Sequence, residues 1–501
     1  LFHFFLTFSF CAAYKILVYN SKVGYSNVNF YGNVADILVD AGHDVVSVLP
    51  QIEPTMFDGT FKSKKSYVPQ TKECEKVPFS QKSRSSRKMA AKLIRLCYFQ
   101  YGTPYTDRFV LQCRGTLEEP GLIERLRGEK FDMMITENYD MCGIGLSHLI
   151  KPKALINGAA SVPFGYMFEE FGLPKTWSYN LSPRNSHLDV HSFWSRLTNL
   201  YAEAIVHRIW YSSRALIDDL FKEKYGPDFP TLAEISSHAA YTIINSEPLI
   251  DFATPTLSRV VYVGGLGAKE PKELEKDFDV FLSLRSKTVL ISFGSIVAAH
   301  KLKIDLKNSV VQTVKNFPDV TFIWKYETPD NDFATVFNAE MSIIPIFRWV
   351  PQNDLLADPR LTAFITHAGG GSTQETAMRG VPGLFIPCFG DQPRNAAMME
   401  KNGLGTVSSF SSLSLCPARI NSKSFSYHDN AKRIAAMIAK KPFSAREQLI
   451  KTVEFAAEFG PSPALRPQSQ DMNWIEYCNL DLIALVLVIV VLLAYSFIQL
   501  V

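Results

Sequence analysis

The sequence predicts an α/β protein: two Rossmann-like parallel-sheet domains facing each other across a cleft, followed by one C-terminal transmembrane helix. Three observations predict it. Short apolar strands alternate with amphipathic helices from Lys15 onward. The alternation breaks in a Pro- and Gly-rich stretch, residues 247–271, and then restarts. Residues 482–498 are apolar and carry no charge. The length of 501 residues suits two domains plus targeting segments better than one core.

The elements follow in order. Residues 1–10 are almost wholly apolar, and Cys11, Ala12 and Ala13 are small. Residues 1–13 are therefore expected to be a signal peptide, itself incomplete because it opens on Leu1. Lys15–Tyr19 reads as a strand. After Gly24 a helix is expected over 30–39, with Val34, Ile37, Leu38 and Ala41 on one face and Gly42 as its stop. A strand at 45–49 completes a β-α-β unit, and 131–136 is a further buried strand of the same half. Residues 56–112 mix basic, Ser-rich and amphipathic pieces and are expected to form helices over a cavity. Beyond the linker, strands are expected at Thr288–Ser292, 320–324, 343–347, Leu361–Thr366 and 384–386, with helices at 305–316 and 373–378. The expected domains are 14–250 and 251–460, then a return segment at 461–479 and the membrane span at 480–501. Trp474 and Tyr477 fall at interfacial depth.

Composition narrows the function. A net charge of +3 with no basic stripe excludes nucleic acid as a partner, and the cluster at 82–92 reads as a solvated loop and helix face. Eight cysteines without a CxxC pair support neither zinc nor thioredoxin chemistry, and the pairing of the seven outside the leader is open. Asn180 heads the one N-x-S/T triplet, weakened as a glycan acceptor by Pro183. The first β-α-β turn lacks G-x-G-x-x-G, which argues against a nicotinamide oxidoreductase. Homo-oligomerisation is left open.

Residues 349–392 carry the chemistry: WVPQNDLLADPRLTAFITHAGGGSTQETAMRGVPGLFIPCFGDQ. A strand ends at His367, the run Gly369, Gly370, Gly371 follows, and Ser372 and Thr373 open a helix. Glycines let a backbone approach an anion closely, and a helix N-terminus offers it free N–H groups. A diphosphate suits that place, although a plain tight turn gives the same local pattern. The whole segment, with its spacing, resembles the signature of the UDP-glycosyltransferases, the family that includes the UDP-glucuronosyltransferases of animals. The first half resembles nematode members most. The resemblance implies the two-domain GT-B fold and UDP-glucuronate or UDP-glucose as co-substrate, with no separate cofactor and no metal. It implies that Trp349 stacks on uracil, Gln352 bonds the base or ribose, and Glu375 holds the ribose hydroxyls. His367, Gly371 and Ser372 then face phosphate, Asp391 and Gln392 face the sugar, and Ser292, Gly294 and Ser295 form the other phosphate-side loop. It further implies a small lipophilic acceptor and a single-pass protein of the endoplasmic reticulum membrane with lumenal domains.

One position breaks the pattern. The family's catalytic histidine follows the first strand, and Asn27 stands there. The carboxylate that orients it corresponds to Glu137, or less well to Asp140. A carboxamide takes no proton near neutral pH. Three readings stay open: acceptors that need little deprotonation, Glu137 as the base, or a UDP-sugar-binding protein without efficient turnover. His43, at the start of a strand beyond the helix, reads as structural.

Overall fold

A computed structural model describes residues 13–76, 102–174, 176–268, 270–295, 297–335, 345–409 and 416–500. The expected signal peptide, the basic cluster at 82–92 and part of 56–112 lie outside the described residues.

The first sheet has seven parallel strands in the order β3-β2-β1-β4-β5-β6-β7. They are β1 Lys15–Tyr19, β2 Asp44–Pro50, β3 Lys64–Val68, β4 Met133–Glu137, β5 Ala154–Ala159, β6 Tyr241–Ile244 and β7 Val260–Tyr262. Register is set by buried pairs such as Ile16 beside Val45 and Met133 beside Ala154. β7 lies past residue 250, so this sheet takes its last strand from the segment assigned by sequence to the second domain. Helix α1, Tyr25–Asp40, starts earlier than the expected 30–39. Its first turn holds exposed Tyr25 and Ser26, so no apolar spacing marks it. Asn27 therefore sits on the first turn of a helix.

One face of the sheet packs against α1 through Val34 and Leu38. The other face carries α2 (Gly102–Glu118), α3 (Cys142–Ile150) and α4 (Phe193–Tyr225), which share a core with Leu117, Ile144 and Phe221. Cys113 and Cys142 form a buried disulfide between α2 and α3. Asn180 is buried, which removes it as a glycan acceptor in the folded chain.

The second sheet has six parallel strands in the order β10-β9-β8-β11-β12-β13. They are β8 Thr288–Ser292, β9 Thr321–Lys325, β10 Ile346–Phe347, β11 Leu361–Thr366, β12 Gly383–Phe385 and β13 Gly405–Val407. Of the expected strand 343–347, the first two residues lie outside the described residues. Helices α5 (Gly370–Arg379) and α6 (Gln392–Lys401) follow β11 and β12. α5 begins at Gly370, before the expected 373, because glycines 370 and 371 form its first turn instead of preceding it. Helix α7, Ala445–Phe459, returns to the first sheet and buries Leu449, Val453 and Ala456 beside Val34 and Leu38. Helix α8, Leu480–Leu500, is apolar, long enough to cross a bilayer, and covered nowhere by protein.

Candidate active site

Both sheets reverse strand order once, at β1/β4 in the first and at β8/β11 in the second. Ligands of open α/β sheets bind at the carboxyl ends of strands beside such a switch point. The residues singled out by sequence gather at these two places. Asn27 follows β1 and Glu137 ends β4; Ser292 ends β8 and His367 follows β11.

At the second switch point, Gly369 caps α5 and leaves the N–H groups of its first turn unpaired within the helix. Two glycines are explained by the imidazole beside them. A Cβ at Gly369 would lie 2.5 Å from His367 Nε2, and one at Gly294 would lie 2.6 Å from its Cε1. Gly294 also has φ +76°, which favours glycine. A Cβ on Gly371 meets open space, so no neighbouring side chain requires a glycine there. His367 is buried, and burial together with the nearby Lys325 cation pushes its pKa down to about 4. The ring is neutral at physiological pH and can give one N–H to an anion.

Gln352 donates to Glu375 Oε2 at 2.6 Å and to Ser372 Oγ at 3.2 Å, tying three of the predicted residues together. Desolvation pushes the Glu375 carboxyl up to about 7, against the pull of the Gln352 bond. Trp349 is 57 % exposed, a large ring held open to the cleft. Asp391 caps the start of α6, is raised by burial and accepts from Asn395 Nδ2 at 2.7 Å. Gln392 is buried, and its carbonyl accepts the backbone N–H groups of Cys388 and Phe389 at 2.8 and 3.1 Å. Ser295 is exposed at the turn after β8.

Three contributors escaped the sequence reading. Lys325 ends β9, and its ammonium lies 2.8 Å from Gly294 O and 5.2 Å from the Trp349 ring centroid. The expected strand stopped at Trp324; a lysine closing an otherwise apolar strand was the available signal. Tyr25, from the other domain, reaches across to Trp349 with ring centroids 5.9 Å apart. Gln374 fastens α5 to the linker, accepting from Gly265 N at 2.5 Å and donating to Asn245 O at 2.7 Å. Nothing short of the folded contact signals the last two.

At the first switch point, Asn27 Nδ2 donates to Glu137 Oε2 at 2.8 Å. Glu137 is 2 % exposed, and its other oxygen accepts Tyr139 N at 2.9 Å. Burial pushes its pKa up to about 7, against hydrogen bonds from Tyr139, Ala160 and Tyr31. Asp140 is also buried and raised to about 6, but its partners are Ser21 and Tyr19. Among the two carboxylates, Glu137 is thus the one joined to Asn27. His43 is buried at the β2 corner, with Nδ1 near Tyr14 N and Nε2 near Glu454.

A sequence profile described as UDP-glucoronosyl and UDP-glucosyl transferase matches residues 15–501. The putative UDP-glucuronosyltransferase ugt-48 of Caenorhabditis elegans is 30 % identical over 94 % of this chain and 91 % of its own length. Human UDP-glucuronosyltransferase 1A1 is 27 % identical over 91 % of this chain and 85 % of its own. Among solved structures, Phytolacca americana UGT2 complexed with UDP-2fluoro-glucose and pterostilbene superposes with a TM-score of 0.61 at 14 % identity, covering 89 % of this chain and 100 % of that one. LpCGTa in complex with UDP gives 0.58 at 16 % identity over 88 % and 99 %. These likenesses extend over both sheets and establish the GT-B fold. The chain belongs to the UDP-glucuronosyl and UDP-glucosyl transferase family.

Proposed function

We propose that the chain transfers a glucuronosyl or glucosyl group from its UDP-sugar to a small lipophilic acceptor, with inversion at the anomeric carbon. The first-turn N–H groups of α5, the neutral His367 and the turn Ser292–Ser295 suit a diphosphate. Trp349 supplies a stacking face for uracil, and the Gln352–Glu375 pair suits base and ribose. A Cβ on Gly370 would lie 3.8 Å from Asp391 Oδ2, which supports assigning the sugar hydroxyls to Asp391 with Gln392 beside it.

The observation that carries the acceptor class is the Asn27–Glu137 hydrogen bond. It spends the amide on an enclosed carboxylate and leaves no imidazole to take a proton. Acceptors that attack before losing a proton therefore fit best: amines, with thiols and acidic phenols that ionise unaided. The nitrogen lone pair forms the new C1–N bond, the C1–O bond to UDP breaks, UDP keeps the electron pair, and the product ammonium loses its proton to water. The same Asn27 also favours a second reading, a UDP-sugar-binding protein without turnover.

The full chain with labelled UDP-glucuronate and UDP-glucose, offered amines, thiols, phenols and alcohols, tests this. Amines should be turned over with alcohols at least about a hundredfold slower. Equal rates on alcohols would overturn the acceptor class, and UDP binding without any transfer would establish the second reading.

α8 is proposed to anchor the protein in the endoplasmic reticulum membrane, with both domains lumenal. Its apolar, uncovered length supports this, as does a buried disulfide, which persists in oxidising compartments.

A further inference from the structure

Glu170 lies near the end of the short helix Gly165–Phe171, 7 % exposed, and both of its carboxylate oxygens are taken. Oε2 accepts Asn138 Nδ2 at 2.6 Å, and Oε1 accepts Trp210 Nε1 and Arg214 Nη1, each at 2.9 Å. The three donors come from two separate places: Asn138 from the turn after β4, Trp210 and Arg214 from α4. The main chain beneath the carboxylate is held as well. Gln470 Nε2 donates to Glu170 O at 2.9 Å, and Arg259 Nη2 to Phe171 O at 3.2 Å. A carboxylate with three donors on a fixed backbone is a rigid post.

Stability alone does not require this arrangement. A buried carboxylate–guanidinium pair costs desolvation, and apolar residues of the same volume commonly hold a fold as well or better. What the post does hold is the turn that follows Glu137. Asn138 is fully buried, its backbone N–H donates to Gly158 O at 2.8 Å, and its side-chain donor is spent on Glu170. Tyr139 N comes next and bonds Glu137 Oε1 at 2.9 Å. The Tyr139 ring is 40 % exposed and faces Trp210 at 6.2 Å between centroids, and Trp210 stacks on Tyr166 at 3.9 Å. Glu170 therefore grips this turn twice, directly at Asn138 and through Trp210 at the Tyr139 ring.

We propose that Glu170 is a positioning residue of the acceptor side. It fixes the Asn138–Tyr139 turn and the Trp210 ring in one register, and so sets where the Glu137–Asn27 pair and the open Tyr139 ring stand relative to an incoming acceptor. It touches no reacting atom and acts through Asn138 and Trp210. The role rests on transfer to an acceptor at the first switch point, as proposed above. Reacting groups must be placed to within about an ångström, and a misplacement of that size costs about a hundredfold in rate.

The test uses the full chain with 1-naphthylamine as acceptor. Rates are expressed per UDP-binding site counted by calorimetric titration, so that misfolded molecules drop out. Asn138→Asp sets two carboxylates against each other, and Asn138→Leu removes the donor without adding charge. Either should slow transfer about ten- to a hundredfold per site, while UDP affinity stays within about twofold of wild type. The exchange Asn138→Asp/Glu170→Gln returns a donor and an acceptor to the same place with their roles reversed, and should recover transfer to within about threefold of wild type. Single variants at the wild-type rate per site, or an exchange no faster than Asn138→Asp alone, overturn the proposal. A loss confined to the number of UDP sites is what a merely structural contact gives, and overturns it too. The dissociation constant of 1-naphthylamine with UDP present reads the same cycle without turnover. If wild type binds UDP and transfers nothing, amine transfer fails as the function. A constant that then rises in the single variants and recovers in the exchange supports the positioning role, and one that does not move overturns it.

Discussion

The two switch points are built alike and equipped differently. At β8/β11 a buried neutral histidine, a glycine-capped helix, a lysine and an open tryptophan converge on one crevice. At β1/β4 the geometry of a donor side chain bonded to a buried carboxylate is kept, but the donor is an amide. On the proposed function, the frame of a proton-transfer pair is kept in place while an amide stands where the proton acceptor would be. On that same reading binding and chemistry are separable, because the two sets of residues sit on different sheets.

The largest expected effect restores the missing group. Asn27→His should raise turnover of hydroxyl acceptors about 10²- to 10⁴-fold, the usual worth of a general base, with little change on amines. Initial rates on a matched alcohol and amine check it, and no gain on alcohols would remove Asn27 from the site.

A perturbation of the other switch point comes next. Gly294→Val forces a side chain into left-handed backbone and against the His367 ring. It should cost about 3 kcal/mol of stability and weaken UDP binding, read as a lower melting temperature and a higher Kd. An unchanged melting temperature would mean that the turn has room to spare.

Glu137→Gln makes a comparable but pH-dependent change. The folded Glu137 carboxyl titrates near about 7, above its ordinary value. Its contribution to stability is full below about 4.5 and is lost as pH rises through about 7, because the fold disfavours the ionised form. The variant should therefore match wild type at pH 4 and exceed it at pH 8, by up to about 3 kcal/mol. Melting curves at the two pH values check the sign. A variant less stable at pH 8 would mean that the carboxylate charge is needed by the fold.

The difference between the two regions also explains what could be read from the chain. The grouping of residues at the second switch point was legible because Trp349, Gln352, His367, Glu375 and Asp391 come from one contiguous run, with spacing set by a strand, a turn and a helix. The Asn27–Glu137 pairing was legible only by position, since the two lie 110 residues apart and join only when β1 and β4 pair. Lys325 was missed because it closes a strand whose signal is apolar. Gln374 was missed because a buried amide bridging two segments has no local pattern. The early start of α1 was missed because its first turn is exposed. The return of α7 to the first sheet follows from its burying face, which looks from sequence like that of any amphipathic helix.

Calorimetric titration of UDP into the full chain, wild type beside Trp349→Ala and Asn27→His, tests the central claim most directly. The donor crevice should bind UDP at one site per chain, lose about tenfold in affinity with Trp349→Ala, as stacking implies, and be indifferent to Asn27→His. Absence of binding, or affinity that ignores Trp349 and follows Asn27, would contradict a complete donor half standing opposite an acceptor half without its base.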